Sequence, residues 1–109
     1  MFPHMTLSEV RNLAMNLHGS TESPHHRFTS FRVRGRIYAT APLEGGSLHV
    51  FLDAEDRDRM VRLQPDAYIK LGWGRKIVGL RVDLELAQPE DVRQLLRAAW
   101  QRKLPRRVT

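Results

Sequence analysis

Apolar residues recur along the chain with two different periods, and each change of period marks a new element. Leu7, Val10, Leu13, Ala14 and Leu17 follow the spacing of a helix with one buried stripe. Ahead of them Thr6-Leu-Ser-Glu9 fits a capping box, in which the threonine and glutamate side chains bond reciprocally to backbone N–H groups. Gly19 ends that helix near His18, and residues 19–24 read as a polar linker.

From there the period shortens to two. Residues 28–33 and 37–41 predict strands, with Phe31, Val33, Ile37, Ala39 and Ala41 inward and Ser30, Arg32, Tyr38 and Thr40 outward. A three-residue loop, Arg34-Gly35-Arg36, keeps Val33 and Ile37 on one face, whereas a two-residue loop turns Arg36 toward the core. Residues 42–46 form a turn into a strand with Leu48, Val50 and Leu52 inward and His49 and Phe51 outward.

Asp53 caps a short helix with Met60, Val61 and Leu63 as its apolar positions, and Pro65 stops it. A strand around 67–71, a loop over 72–76 and a strand over 77–84 follow, the last with Val78, Leu80, Val82 and Leu84 on one face. Pro89 opens the final helix, whose stripe is Val92, Leu95, Leu96, Ala99 and Trp100. The order is helix, three strands, helix, two strands, helix. That predicts an α+β fold in a single domain of residues 1–109, with helices packed on one face of the sheet and the other face open.

Composition narrows the partner class. The net charge of +6 favours acidic partners, nucleic acid first and a membrane surface next. Fifteen of the eighteen cations are arginine, the side chain that forks onto phosphate and stacks on bases; a GC-rich genome gives the same bias. The absence of cysteine excludes disulfides, thiolate chemistry and cysteine-ligated metals. With no long apolar run and no secretory signal pattern, the expected compartment is the cytoplasm, with no membrane partner.

Two turns concentrate the charge. Arg27, Arg32, Arg34 and Arg36 gather at the first, and Lys70, Arg75 and Lys76 flank the second with Trp73 between them. Two cationic hairpin tips on one sheet suit the phosphates of a duplex, giving affinity with little sequence selectivity. Trp73 either wedges or stacks against a partner or folds back over the core edge, and the high average burial of tryptophan favours the second. Arg106 and Arg107 lie past Pro105 as a backbone-binding tail or a soluble end.

The outward strand face would carry Tyr38, His49, Phe51 and Arg81, either as a platform for bases or for a protein partner, or as ordinary cross-strand packing. Catalytic patterns are lacking. The five histidines show no metal-ligand spacing, Gly72-Trp-Gly74 is not a phosphate loop, and no serine has a nucleophile context, so neither enzyme activity, a cofactor nor a metal is expected. Two readings stand: a non-enzymatic double-stranded DNA binder working through its tips, or a protein-interaction module, with a homodimer as one form of it, working through Phe51 and Tyr38 on the open face.

Several segments together resemble the MmcQ/YjbR family of small bacterial proteins. They are Phe31-Arg-Val-Arg-Gly-Arg-Ile-Tyr-Ala39, Leu48-His-Val-Phe-Leu-Asp53 running into a helix, the Trp73 loop, and Ala99-Trp-Gln-Arg-Lys-Leu-Pro105. The resemblance implies an α-β3-α-β2-α layout with an antiparallel sheet and a frataxin-like or secretion-chaperone-like fold. It also implies DNA binding through two β-hairpin wings, which fall here at residues 32–36 and 70–76. In this chain Gly72 precedes Trp73, and the cations Arg75 and Lys76 follow it.

Overall fold

The computed structural model describes residues 5–105. Three helices, α1 (Leu7–Met15), α2 (Ala54–Leu63) and α3 (Pro89–Lys103), accompany six strands: β1 (Ser20–His25), β2 (Phe28–Val33), β3 (Arg36–Pro42), β4 (Ser47–Phe51), β5 (Tyr68–Trp73) and β6 (Lys76–Asp83). All pairings are antiparallel, in the order β1-β2-β3-β4-β6-β5. The fold is α+β as the sequence predicts, but four strands precede α2 where three were expected.

The added strand is the polar segment Ser20–His25. It pairs along its whole length with β2, from Ser20 opposite Val33 to His25 opposite Phe28. It shows no apolar alternation because it is an edge strand, held by backbone bonds and side-chain contacts of another kind. Glu22 accepts a two-pronged bond from Arg11 of α1 at 2.7 and 3.0 Å and another from Thr29 at 2.7 Å. The Arg11 bond holds the Glu22 carboxyl below the usual carboxylate range.

Helix starts follow the local chemistry. Thr6 and Glu9 complete the capping box, Asp53 accepts from the Asp56 N–H at 3.0 Å, and Pro89 opens α3 without a side-chain cap. The core lies between the helices and one sheet face, where Phe31, Leu48, Val50, Leu80 and Val82 meet Val92, Leu95, Leu96 and Ala99 of α3. Each such side chain contributes about 1.5–3 kcal/mol by leaving water. Helix α3 lies over β2, β3 and β4, α1 over β1 and against α3, and α2 along β5 and β6. Leu63, expected to be apolar-facing, is 70% exposed at the end of α2; Met60 is the buried anchor there.

Candidate functional site

Both basic hairpins end in a two-residue loop, not the three-residue loop expected for the first. Val33 pairs with Arg36 across Arg34-Gly35, and Trp73 pairs with Lys76 across Gly74-Arg75. Arg34 and Gly35 both take positive φ, 53° and 76°, as the primed turn matched to strand twist requires. In the second loop Gly74 supplies the positive φ, 63°.

Arg36, opposite Val33, shares the helix-side face as foreseen for a two-residue loop, but it is exposed at the hairpin tip, and a bulge returns Ala39 to the core face. Phe31 faces Ala39 and Arg32 faces Ile37, so Tyr38 is an extra residue in β3. It turns toward the helices and is wholly buried, with its hydroxyl 2.9 Å from Ser20 Oγ and donating to the Ala14 carbonyl at 3.4 Å. Ile37 lies on the opposite side beside Thr40 and Phe51. Tyr38 and Ile37 therefore exchange the faces that simple alternation gives them, and Tyr38 is no part of an open-face platform.

The second hairpin repeats this construction. Leu71 faces Gly79 and Gly72 faces Ile77, which leaves Val78 as the extra residue of β6. In register, 32–39 corresponds to 72–79: a two-residue loop, a cation opening the returning strand (Arg36, Lys76), an isoleucine and a bulge, although the loop cation comes first in one hairpin (Arg34) and second in the other (Arg75). The returning strands β3 and β6 flank β4 on its two sides. The two hairpins are thus related by an approximate half-turn about β4, an operation that exchanges the faces of the sheet. Val33 packs under the helices, 2% exposed, while its counterpart Trp73 falls on the face without them, 80% exposed. Trp73 does not fold back as a lid.

Between the hairpins lies a notch. Strand β4 ends at Phe51, short of both tips, so β3 and β6 stand about 10 Å apart there and the hairpin centres about 14 Å apart. The notch has a volume of about 530 Å³, walled by Ile37 and Ile77 and floored by Phe51 and Leu52. Lys76, Arg102 and Lys103 also line it, the last two from the final turn of α3. Burial, then Arg102, then Arg36 push the Lys103 ammonium below its ordinary value. Cations from three elements therefore crowd one opening.

The remaining candidates divide. Arg27 sits in the β1–β2 turn, at the other end of the sheet from Arg34. Lys70 faces α2 and lies 3.8 Å from Asp58, so it belongs to packing and not to the second tip. Arg32 lies on the open face and donates to Ser30 Oγ at 3.1 Å. His49 and Arg81 are opposite each other on that face, and burial followed by the Arg81 charge lowers the His49 pKa. His49 also stacks obliquely on Phe28, with centroids 5.6 Å apart. Arg106 and Arg107 lie outside the described residues. Arg102 and Lys103 are not among the candidates read from the sequence; their place in the last turn of the helix covering β3 was the available signal.

Residues 15–102 match the YjbR family model. The chain belongs to the YjbR family. In fold, this YjbR-family chain is similar to a crystal structure of a Deinococcus radiodurans protein whose family-model domain is DUF419. The TM-score is 0.77 at 22% identity, over 89% of this chain and 77% of that one. No curated protein matches the chain. Among the described residues no helix is long and apolar enough to cross a membrane.

Proposed function

We propose that this YjbR-family chain is a non-enzymatic, weakly sequence-selective module that grips double-stranded DNA with its two hairpins as wings. The observation that carries the reading is the duplicated wing. Arg34 and Arg36 on one side and Arg75 and Lys76 on the other project from one end of the sheet, with Arg102 and Lys103 between them. Tips about 14 Å apart suit two phosphate rows bordering a major groove, which is about 12 Å wide. Such contacts give affinity and orientation, and little base reading. The competing protein-docking reading loses Tyr38, one of its two anchors, to the core.

Binding of a labelled duplex of about 25 base pairs, followed by fluorescence anisotropy against salt, tests the proposal. Six cations on six phosphates give a log–log slope of about −5. Joint reversal at Arg34→Glu and Arg36→Glu is expected to flatten it to about −3.5 or less and to weaken binding at every salt concentration. An unchanged slope in that double variant refutes the wing assignment.

A further inference from the structure

Phosphate contacts leave the face beside the wings without a role, although its chemistry is distinctive. A furrow of about 270 Å³ runs from the notch across the helix-free face. Its rings come from both edge strands and the strands between: His25, Phe28, His49, Phe51 and Trp73. Trp73 is 80% exposed, an indole held in water at the furrow's mouth. Arg32 and Arg81 border this ring row on the same face, and the notch cations close one end of it.

We infer that the furrow takes a single-stranded stretch of nucleic acid, with bases stacked on Trp73 and Phe51 and the backbone led in by Lys76, Arg102 and Lys103. Charge complementarity selects the occupant. An apolar helix would gain nothing from the cations, and an acidic peptide would gain little from the rings. A strand of unpaired nucleotides offers a π face and an anionic charge at each step, which is the pattern of the furrow itself. The His49 imidazole offers a stacking surface as the phenyl rings do, and burial followed by the Arg81 charge lowers its pKa, which favours the neutral ring. The inference rests on the nucleic-acid reading of the wings for its polyanion and adds recognition of unpaired bases.

The test compares a labelled eight-residue oligothymidylate with an abasic oligomer of the same length and charge, by anisotropy on the whole chain. The base-bearing strand is expected to bind on the order of tenfold tighter or more, since each stacked base is worth about 1–3 kcal/mol. Trp73→Leu is expected to erase that preference while leaving the melting temperature unchanged, since an exposed side chain costs the fold little to lose. Equal binding of the two oligomers overturns the inference, as does a preference that survives Trp73→Leu or competition by polyglutamate as strong as by oligothymidylate. With duplex binding intact, those outcomes leave the wing reading standing. Base-dependent strand binding, together with duplex binding that ignores the Arg34→Glu, Arg36→Glu reversal, sinks the wing reading and keeps the furrow.

Discussion

Replacing Gly79 by alanine is expected to weaken the sheet at its centre. Gly79 of β6 pairs with Phe51 of β4, and a Cβ built on it would lie 1.9 Å from the Val50 carbonyl oxygen, 2.8 Å from its carbon and 2.9 Å from Phe51 Cα. All three are backbone atoms, so no side-chain rotation relieves the overlap. Strand β4 must retreat by about 1 Å, which carries a ladder bond of ordinary length beyond hydrogen-bonding range. Two such bonds lost at about 1 kcal/mol each, with about 1–3 kcal/mol of overpacking strain, give a cost of about 3–5 kcal/mol. That is a large share of the roughly 5–15 kcal/mol that holds a domain folded, and corresponds to a drop in melting temperature of roughly 15 °C or more. Gly72→Ala is the control. Its Cβ would meet only the Lys76 carbonyl oxygen at 3.6 Å, an ordinary contact in the adjoining ladder. Urea unfolding of both variants measures the difference. A Gly79→Ala protein within about 1 kcal/mol of the parent, or no less stable than Gly72→Ala, refutes the close-approach account.

Tyr68 is buried, its hydroxyl has no hydrogen-bond partner among the described residues, and burial pushes its pKa up to about 12. Tyr68→Phe is expected to be neutral or to stabilise by about 1 kcal/mol in urea unfolding; a clear loss of stability means the hydroxyl is satisfied in solution. Acid is expected to destabilise the chain in two stages. The native His49 pKa lies below its ordinary 6.5, so on acidification the unfolded chain takes up that proton first, and stability falls from about pH 6.5 down through the native value. The lowered Glu22 carboxyl adds a second loss beginning near its ordinary 4.5. Unfolding free energies measured between pH 7.5 and 3.5 check both, and a His49→Gln variant that keeps the upper slope refutes the assignment to His49.

Where side chains advertise burial or caps, the sequence was a sufficient guide. The Thr6–Glu9 box, the Asp53 cap, Pro89 and the alternation through Leu48, Val50 and Leu52 all mark elements that exist as expected. Strand β1 was invisible because alternation reports burial, and Ser20–His25 is an edge strand that buries no apolar stripe. Counting in twos also fails at a bulge, since one extra residue inverts the assignments on one side of it while Ala39 and Ala41, on the other, stay inward as expected. That single effect misplaced Ile37, Tyr38 and the length of the first loop. The charged tips were legible, but their relation was not. The half-turn joining residues 32–39 to 72–79 depends on strand order, and no local pattern reveals why Val33 is buried while Trp73 is bare.

Strand order also fixes when the two wings meet. Strands β1 to β4 form a meander of neighbours in the chain, and β5 with β6 forms a hairpin of its own. One ladder, β4 with β6, joins them, and α2 and β5 intervene between its two sides. Local pairing is fast, whereas this joint must first close a long loop, so each wing is expected to pair before the distance between them is set. Span and grip are therefore separable properties. Substitutions along the joint retune how far apart the wings stand while leaving the chemistry of each tip as it was.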